Sequence, residues 1–324
     1  MSWFQEKLLK LISKEKIEEV LSQYGQFKVK NFEPLSGWQN LGLKITTDSD
    51  TLILRIQRSK NLKRLKLILD VIEYLSELGF PVQKILKTKN GQNITQFKIG
   101  EFLHPAVVLS YLGGETKVIL SNDEIIQVGS LMGKLHQNLA TFETEENTRK
   151  LNLNQIVKKV EKDYPAKLKN EAEIFQIWQE FWPEIKSKLA KNLRILQNKQ
   201  FIHGDLAPSN IIFYNSKISG ILDFDGVIFA PKIWDLGQFI GNYTQTVKSW
   251  GREEQISQTL KNLVLGYEKT SSLTIEEKQI LPNLLRLWFF EKIIWSKSQA
   301  KFKNREQWAQ DIISWCLSGL LEKF

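Results

Sequence analysis

Residues 203–225 constrain this chain more than any other stretch, because they combine a polar loop, two short apolar runs and an acidic turn. The loop offers a carboxylate at Asp205 and, five residues later, a carboxamide at Asn210. Asn210 opens the first apolar run, Asp223 closes the second, and the Asn-Ser-Lys turn between them predicts a β-hairpin. A hairpin of this length brings Asn210 and Asp223 to the same end of its ladder. Hard oxygen donors at one edge suit Mg²⁺, which proteins usually hold with one or two carboxylates and substrate phosphates.

The loop has the spacing His-x-Asp-x-x-x-x-Asn, formed by His203, Asp205 and Asn210. In kinase-type phosphoryl transfer, the Asp of such a loop accepts the proton of the attacking hydroxyl, and the Asn and a later Asp bind metal. We therefore predict Asp205 as catalytic base, His203 as the residue that orders the loop, and Asn210 and Asp223 as metal ligands. A lone Asp in a turn is often only a cap, but the agreement of spacing, hairpin and acidic turn favours catalysis. Asp225 replaces the Gly of the Asp-Phe-Gly pattern and either binds metal or shapes the turn.

The chain resembles the aminoglycoside phosphotransferase and choline kinase superfamily, and within it most of all the homoserine kinase type II branch. The resemblance covers about residues 35–295 and implies an α+β, bilobal, protein-kinase-like fold. It implies a small antiparallel-sheet N-lobe at residues 1–110 and a mainly helical C-lobe at residues 111–324. The matching motifs lie at residues 203–210, 218–224, 234–236, 266–268 and 281–282.

The resemblance also implies a set of nucleotide-binding residues. Arg55 stands where a kinase places the lysine that binds the α- and β-phosphates, although a surface Arg on a strand is the alternative. Gly37 and Asn40 lie in a turn that either covers the phosphates or is an ordinary hairpin; the family usually has two adjacent glycines here. Ser110 and Leu112 occupy the expected hinge, where backbone groups meet adenine, and the alternative is a plain loop.

The implied reaction is ATP- and Mg²⁺-dependent phosphorylation of a hydroxyl on a small metabolite, such as a homoserine-like amino alcohol or a sugar or aminoglycoside-type acceptor. The predicted helix at residues 62–78 has no acid in its first half, so Asp70 and Glu73 are the candidate partners for Arg55. This departure from the kinase pattern motivates the alternative function, a nucleotide-binding pseudokinase or scaffold without turnover.

Composition excludes several other classes. The net charge of +9 is spread over a Lys-rich chain without a basic block interleaved with aromatics, which argues against nucleic acid as a partner. A single cysteine, Cys316, precludes a disulfide within the monomer and fits a reducing compartment. The N-terminus lacks an apolar signal core and no apolar run reaches bilayer length, so we expect a cytoplasmic monomer or homodimer without a membrane partner.

Three further predictions concern structure alone. Apolar spacing predicts a helix over residues 3–24. The charged segment 141–170, which contains Pro165, predicts a mobile or variable insertion. His136 lies on a predicted helix as a hydrogen-bonded core residue, and Asp235 as a helix N-cap or a brace for the 203–210 loop.

Overall fold

The computed structural model describes residues 8–35, 40–144, 150–168, 171–249, 256–302 and 305–321. Gly37, a predicted nucleotide-loop residue, lies outside these ranges. The chain divides into two compact units. The first comprises Met1–Gly113, Thr144–Asn147 and Ser219–Leu222, and the second comprises Gly114–Glu143, Thr148–Ile218 and Asp223–Phe324.

An antiparallel sheet is the main element of the first unit. In the described residues it has five strands, in the order β1-β2-β3-β5-β4. The strands and helices of this unit are α1 Lys14–Leu21, β1 Val29–Pro34, β2 Leu41–Thr47, β3 Thr51–Ile56, α2 Leu62–Glu77, β4 Thr95–Ile99 and β5 Phe102–Ser110.

Alternation along β3 divides its side chains between two apolar clusters. Leu54 shares a buried cluster with Leu21 of α1. Ile53 points to the opposite face and shares a second cluster with Leu65 of α2. Arg55 is two residues beyond Ile53, so it projects from the α2 side of the sheet.

The second unit is mainly helical, and its described residues include two small sheets. β7 pairs with β10, and the other sheet has the order β6-β8-β9. The elements are β6 Glu115–Thr116, α3 Asn122–Leu139, α4 Leu153–Leu168, α5 Ala172–Lys191, α6 Leu193–Gln197, β7 Gln200–Ile202, β8 Ile211–Tyr214, β9 Lys217–Ile221, β10 Ile228–Ala230, α7 Ile233–Ser249, α8 Ile256–Tyr267, α9 Ile275–Gln299 and α10 Glu306–Leu321. β9 begins in this unit and ends in the Ser219–Leu222 segment of the first. Among the described helices, none is both long and apolar enough to cross a bilayer.

Two predictions about helices are corrected. The helix predicted over residues 3–24 is, among the described residues, mainly α1, because the Ser13 side chain caps its first turn by accepting a bond from the Lys16 amide. The segment 141–170, predicted as an insertion, contains α4 despite Pro165 within it. Val160 and Tyr164 are fully buried on one face of α4, and this burial offsets the hydrogen bond that the proline removes.

Candidate active site

The predicted hairpin is formed by β8 and β9 and is confirmed. Its two turn residues, Asn215 and Ser216, have φ values of 49° and 57°. Positive φ at both central residues matches the turn type whose twist suits two-residue hairpins. Asp223, just after the hairpin, is also left-handed, with φ 61° and ψ 64°. A non-glycine residue in this region stores about 1–2 kcal/mol of strain, and such strain clusters at functional sites.

Two glycines let the 203–210 loop lie against the turn that follows the hairpin. Gly204 has a φ of 75°, and a Cβ there would lie 2.1 Å from the carbonyl oxygen of Gly226. A Cβ on Gly226 would in turn lie 2.7 Å from the Cβ of Asp205. Side chains at either position would separate the two segments. The glycines therefore hold the Asp205 loop next to the Asp223 turn.

Asp205 remains exposed to solvent at the edge of this contact. The surrounding protein nevertheless disfavours its ionised form and raises the pKa of its carboxyl, which the charge of Asp223 raises further. The positive charge of Lys292 lowers the pKa of Asp205 and so opposes that effect. A reachable carboxylate with increased proton affinity is suited to accept a proton.

Asn210 and the acidic turn carry the oxygen atoms that the sequence analysis predicted as cation ligands. The Asn210 side-chain nitrogen donates to the Asp205 carbonyl oxygen at 2.9 Å, so the amide oxygen is the atom left to bind a ligand. Asp223 is exposed and Asp225 is half-buried in a short 3-10 turn. Within the described ranges, no three His, Cys, Asp or Glu side chains are grouped to hold a metal. This donor set fits a cation that also uses phosphate oxygens, as Mg²⁺ commonly does.

His203 orders the loop from a fully buried position. Its backbone amide donates to Asp235 Oδ2 at 2.9 Å, and its ring Nδ1 accepts from the Asp205 amide at 3.3 Å. Its ring lies against Phe224 with 4.7 Å between centroids. His203 therefore contacts both the backbone of the 203–210 loop and the turn that follows Asp223.

Asp235 on α7 braces the 203–210 loop. This is one of the two roles predicted for it, the other being a helix N-cap. Its Oδ1 accepts from the Gly204 amide at 2.8 Å, and its Oδ2 lies 3.1 Å from His136 Nε2. The other ring nitrogen of His136, Nδ1, lies 3.0 Å from the Tyr267 hydroxyl. A neutral imidazole that donates to the carboxylate from Nε2 accepts the Tyr267 proton at Nδ1. His136, Asp235 and Tyr267 are all buried, which confirms the structural role predicted for His136.

In the first unit, Arg55 is half-buried on β3, opposite Gly42 and Val107. Glu73, one of its two candidate partners, instead forms an ion pair with Lys87 at 2.6 Å. This pairing lowers the pKa of the Glu73 carboxyl.

Asn40 has a defined local role in the first unit. Its side-chain oxygen accepts the Arg58 amide at 3.1 Å, so it ties the end of the predicted nucleotide loop to the residues after β3.

The polar groups of Ser110 are engaged within the first unit. Its amide donates to the Lys84 carbonyl at 2.8 Å, its hydroxyl accepts from the Lys84 amide at 2.8 Å, and its carbonyl accepts from Gln83 at 2.9 Å. Leu112 packs so closely on Gly220 that a Cβ there would lie 2.4 Å from the leucine side chain. The nucleotide contacts predicted for Ser110 and Leu112 stay predictions.

Lys292 on α9 is a residue whose place near the site the sequence analysis missed. It lies between Trp288 and Trp295, four residues after one and three before the other, so the three share a helix face. That spacing was visible in the sequence, but nothing in the sequence indicated that the Lys292 charge would affect the pKa of Asp205.

The phosphotransferase enzyme family, known as APH, has a family model that matches residues 31–269. The chain belongs to this family. The curated homoserine kinase of Zymomonas mobilis subsp. mobilis is 25% identical over 265 residues, covering 77% of this chain and 75% of that protein. The homoserine kinase of Chelativorans sp. is 25% identical over 288 residues, covering 85% and 82%. Family and relatives together identify the chain as a small-molecule kinase.

Solved structures agree on the fold. An amicoumacin kinase in complex with AMP-PNP, Ca²⁺ and Ami has a TM-score of 0.71 at 15% identity, covering 97% of this chain and 96% of that one. A microcompartment-associated aminopropanol kinase has a TM-score of 0.68 at 13% identity, covering 95% of both chains. These comparisons confirm the predicted α+β, bilobal, protein-kinase-like fold of the kinase.

Proposed function

We propose that this kinase transfers the γ-phosphoryl group of ATP to a hydroxyl of a small metabolite, with Mg²⁺ as cofactor. The observation that carries the proposal is the contact at Gly204 and Gly226, which holds Asp205 beside the turn of Asp223. A homoserine-like amino alcohol is the favoured acceptor, because the curated relatives are named homoserine kinases and one structural neighbour is an aminopropanol kinase. A sugar or an aminoglycoside-type compound is the second acceptor class, supported by a spectinomycin phosphotransferase of similar fold.

In the proposed step, the acceptor oxygen attacks the γ-phosphorus of ATP. A phosphorus–oxygen bond to the acceptor forms as the bond to the bridging β,γ-oxygen breaks, and ADP leaves. The acceptor proton passes to the Asp205 carboxylate, whose raised pKa favours proton uptake. His203 and Asp235 keep the loop in place through the bonds described above.

Asn210 and Asp223 would hold Mg²⁺, with Asp225 as a further candidate ligand. When bound, the cation neutralises the charge of the phosphates during transfer. We keep the predicted division in which residues 1–110 cover the nucleotide and residues 111–324 bind the acceptor, in a cytoplasmic monomer or homodimer. The residues proposed to contact the nucleotide are Arg55, Gly37, Asn40, Ser110 and Leu112.

The test is ADP release from ATP and Mg²⁺ across homoserine, choline, sugars and aminoglycosides. We expect acceptor-dependent release, and Asp205→Asn should lower kcat by roughly 10²- to 10⁴-fold. Asp311→Asn is the matched control, because Asp311 is exposed on α10 and its side chain accepts a bond from Gln307, one helical turn away, at 2.9 Å. Equal release in the wild type and Asp205→Asn would refute the role of Asp205. Tight ATP binding without release for any acceptor would instead support the scaffold alternative.

A further inference from the structure

Lys292 is a half-buried ammonium that lies against two indole rings. Its Nζ is 5.3 Å from the ring centroid of Trp288 and 4.5 Å from that of Trp295. The adjacent acid, Glu291, pairs with Lys159 at 2.9 Å. In the part of the chain that the structure describes, no carboxylate lies within ion-pair distance of Lys292. Burial lowers the pKa of Lys292, and aromatic faces stabilise its cation only modestly, so an anion bound beside it would stabilise the charged form.

Packing connects this ammonium to the 203–210 loop. Trp288 lies so close to Gly241 on α7 that a Cβ there would be 2.5 Å from the ring. The next residue, Asn242, donates to the carbonyl of Leu206 at 3.3 Å. Lys292 is therefore one helical turn from a residue that packs on α7, the helix whose Asn242 bonds to the loop that carries Asp205. Electrostatics agree, because the Lys292 charge lowers the pKa of Asp205.

We propose that Lys292 determines acceptor specificity by binding a carboxylate of the acceptor while the acceptor's hydroxyl faces Asp205. The substrate class is a short hydroxy acid or hydroxy amino acid, and this inference rests on the proposed kinase function. An acceptor carboxylate supplies the anion that Lys292 lacks among its described neighbours. An acceptor whose only charges are positive brings like charge towards this ammonium, which disfavours polycationic antibiotics.

The test compares homoserine with 3-aminopropan-1-ol, which is the same compound without the carboxylate. The wild type should have a higher kcat/KM for homoserine, and Lys292→Met should lower the ratio of the two kcat/KM values by about tenfold or more. Lys292→Arg keeps the positive charge, so its ratio of kcat/KM values should stay closer to that of the wild type than the ratio of Lys292→Met does. Lys278→Met is the control, since Lys278 is exposed on the same helix and pairs with Glu268 at 2.6 Å. An unchanged ratio in Lys292→Met, or equal losses for both acceptors, would overturn the proposal.

Calorimetry separates this inference from the proposed reaction. With a non-hydrolysable ATP analogue present, homoserine should bind the wild type more tightly than 3-aminopropan-1-ol, and Lys292→Met should remove most of that difference. If neither compound is phosphorylated, the homoserine-like acceptor is wrong, but the binding comparison still decides the carboxylate site. A wild type that shows no preference for the carboxylate in binding refutes the role of Lys292. Thermal melts of both Lys292 variants establish that they fold.

Discussion

Replacing Gly266 with alanine tests how closely α3 and α8 must approach each other. Their contact positions Tyr267 and His136, which form hydrogen bonds in series with Asp235 beside the 203–210 loop. A Cβ on Gly266 would lie 2.0 Å from the carbonyl oxygen of Ile126 on α3. An ordinary contact requires at least 3.4 Å, so the two helices must separate by more than 1 Å. The next residue, Tyr267, reaches His136 at 3.0 Å. The same displacement would bring this hydrogen bond outside its normal range.

The energies predict a net loss of stability in Gly266→Ala. Overpacking costs about 1–3 kcal/mol, and the lost hydrogen bond about 1 kcal/mol. Alanine has a higher helix propensity than glycine, which stabilises the folded state by about 1 kcal/mol. We therefore expect the unfolding free energy to fall by about 2 kcal/mol. Urea denaturation followed by tryptophan fluorescence measures it, since eight of the ten tryptophans lie in the second unit.

Gly237→Ala on α7 is the matched control, because a Cβ there would meet its nearest neighbours at 3.7–3.8 Å. With no clash, the helix preference of alanine should leave this variant as stable as the wild type or about 1 kcal/mol more stable. Equal stabilities for Gly266→Ala and Gly237→Ala would refute the reasoning from close helix contact. Reduced kcat in Gly266→Ala alone would connect the helix contact to the loop through His136 and Tyr267.

Four further predictions concern the site itself. Asp235→Ala leaves the loop amides of His203 and Gly204 and the buried His136 ring without their acceptor, so the unfolding free energy should fall by about 3 kcal/mol in urea denaturation; a fall below 1 kcal/mol would contradict the bracing role. Asp223→Gly should relieve about 1 kcal/mol of backbone strain and raise the melting temperature while abolishing turnover, and retained turnover would contradict its metal role. Because the pKa of Asp205 is raised, kcat/KM should fall on acidification at a pH above that expected for an ordinary aspartate. Lys292→Met should move this acid limb to higher pH, since the ammonium lowers the pKa of Asp205; no movement would show that the charge of Lys292 does not reach the base.

Local patterns explain what was predictable from the sequence. The turn residues between β8 and β9 are a property of a few adjacent residues, so the hairpin was predicted correctly. The spacing of Asp205, Asn210 and Asp223 predicted that they lie close to the same hairpin, and their roles in catalysis and metal binding stay predictions. The helix α4 was missed for the same reason, since Pro165 argued locally against a helix that packing stabilises.

Only the tertiary structure decided which polar side chains pair with one another. His136 and Asp235 are 99 residues apart in the chain, and their contact depends on how α3 and α7 pack. Glu73 pairs with Lys87, a partner that the sequence analysis did not consider for it. The sequence by itself determined the kinase-type loop and its hairpin, because these depend on short-range geometry. The tertiary structure decided which buried groups form hydrogen bonds that support that loop, and which lysine lowers the pKa of Asp205. Both depend on packing between helices that are distant in the sequence.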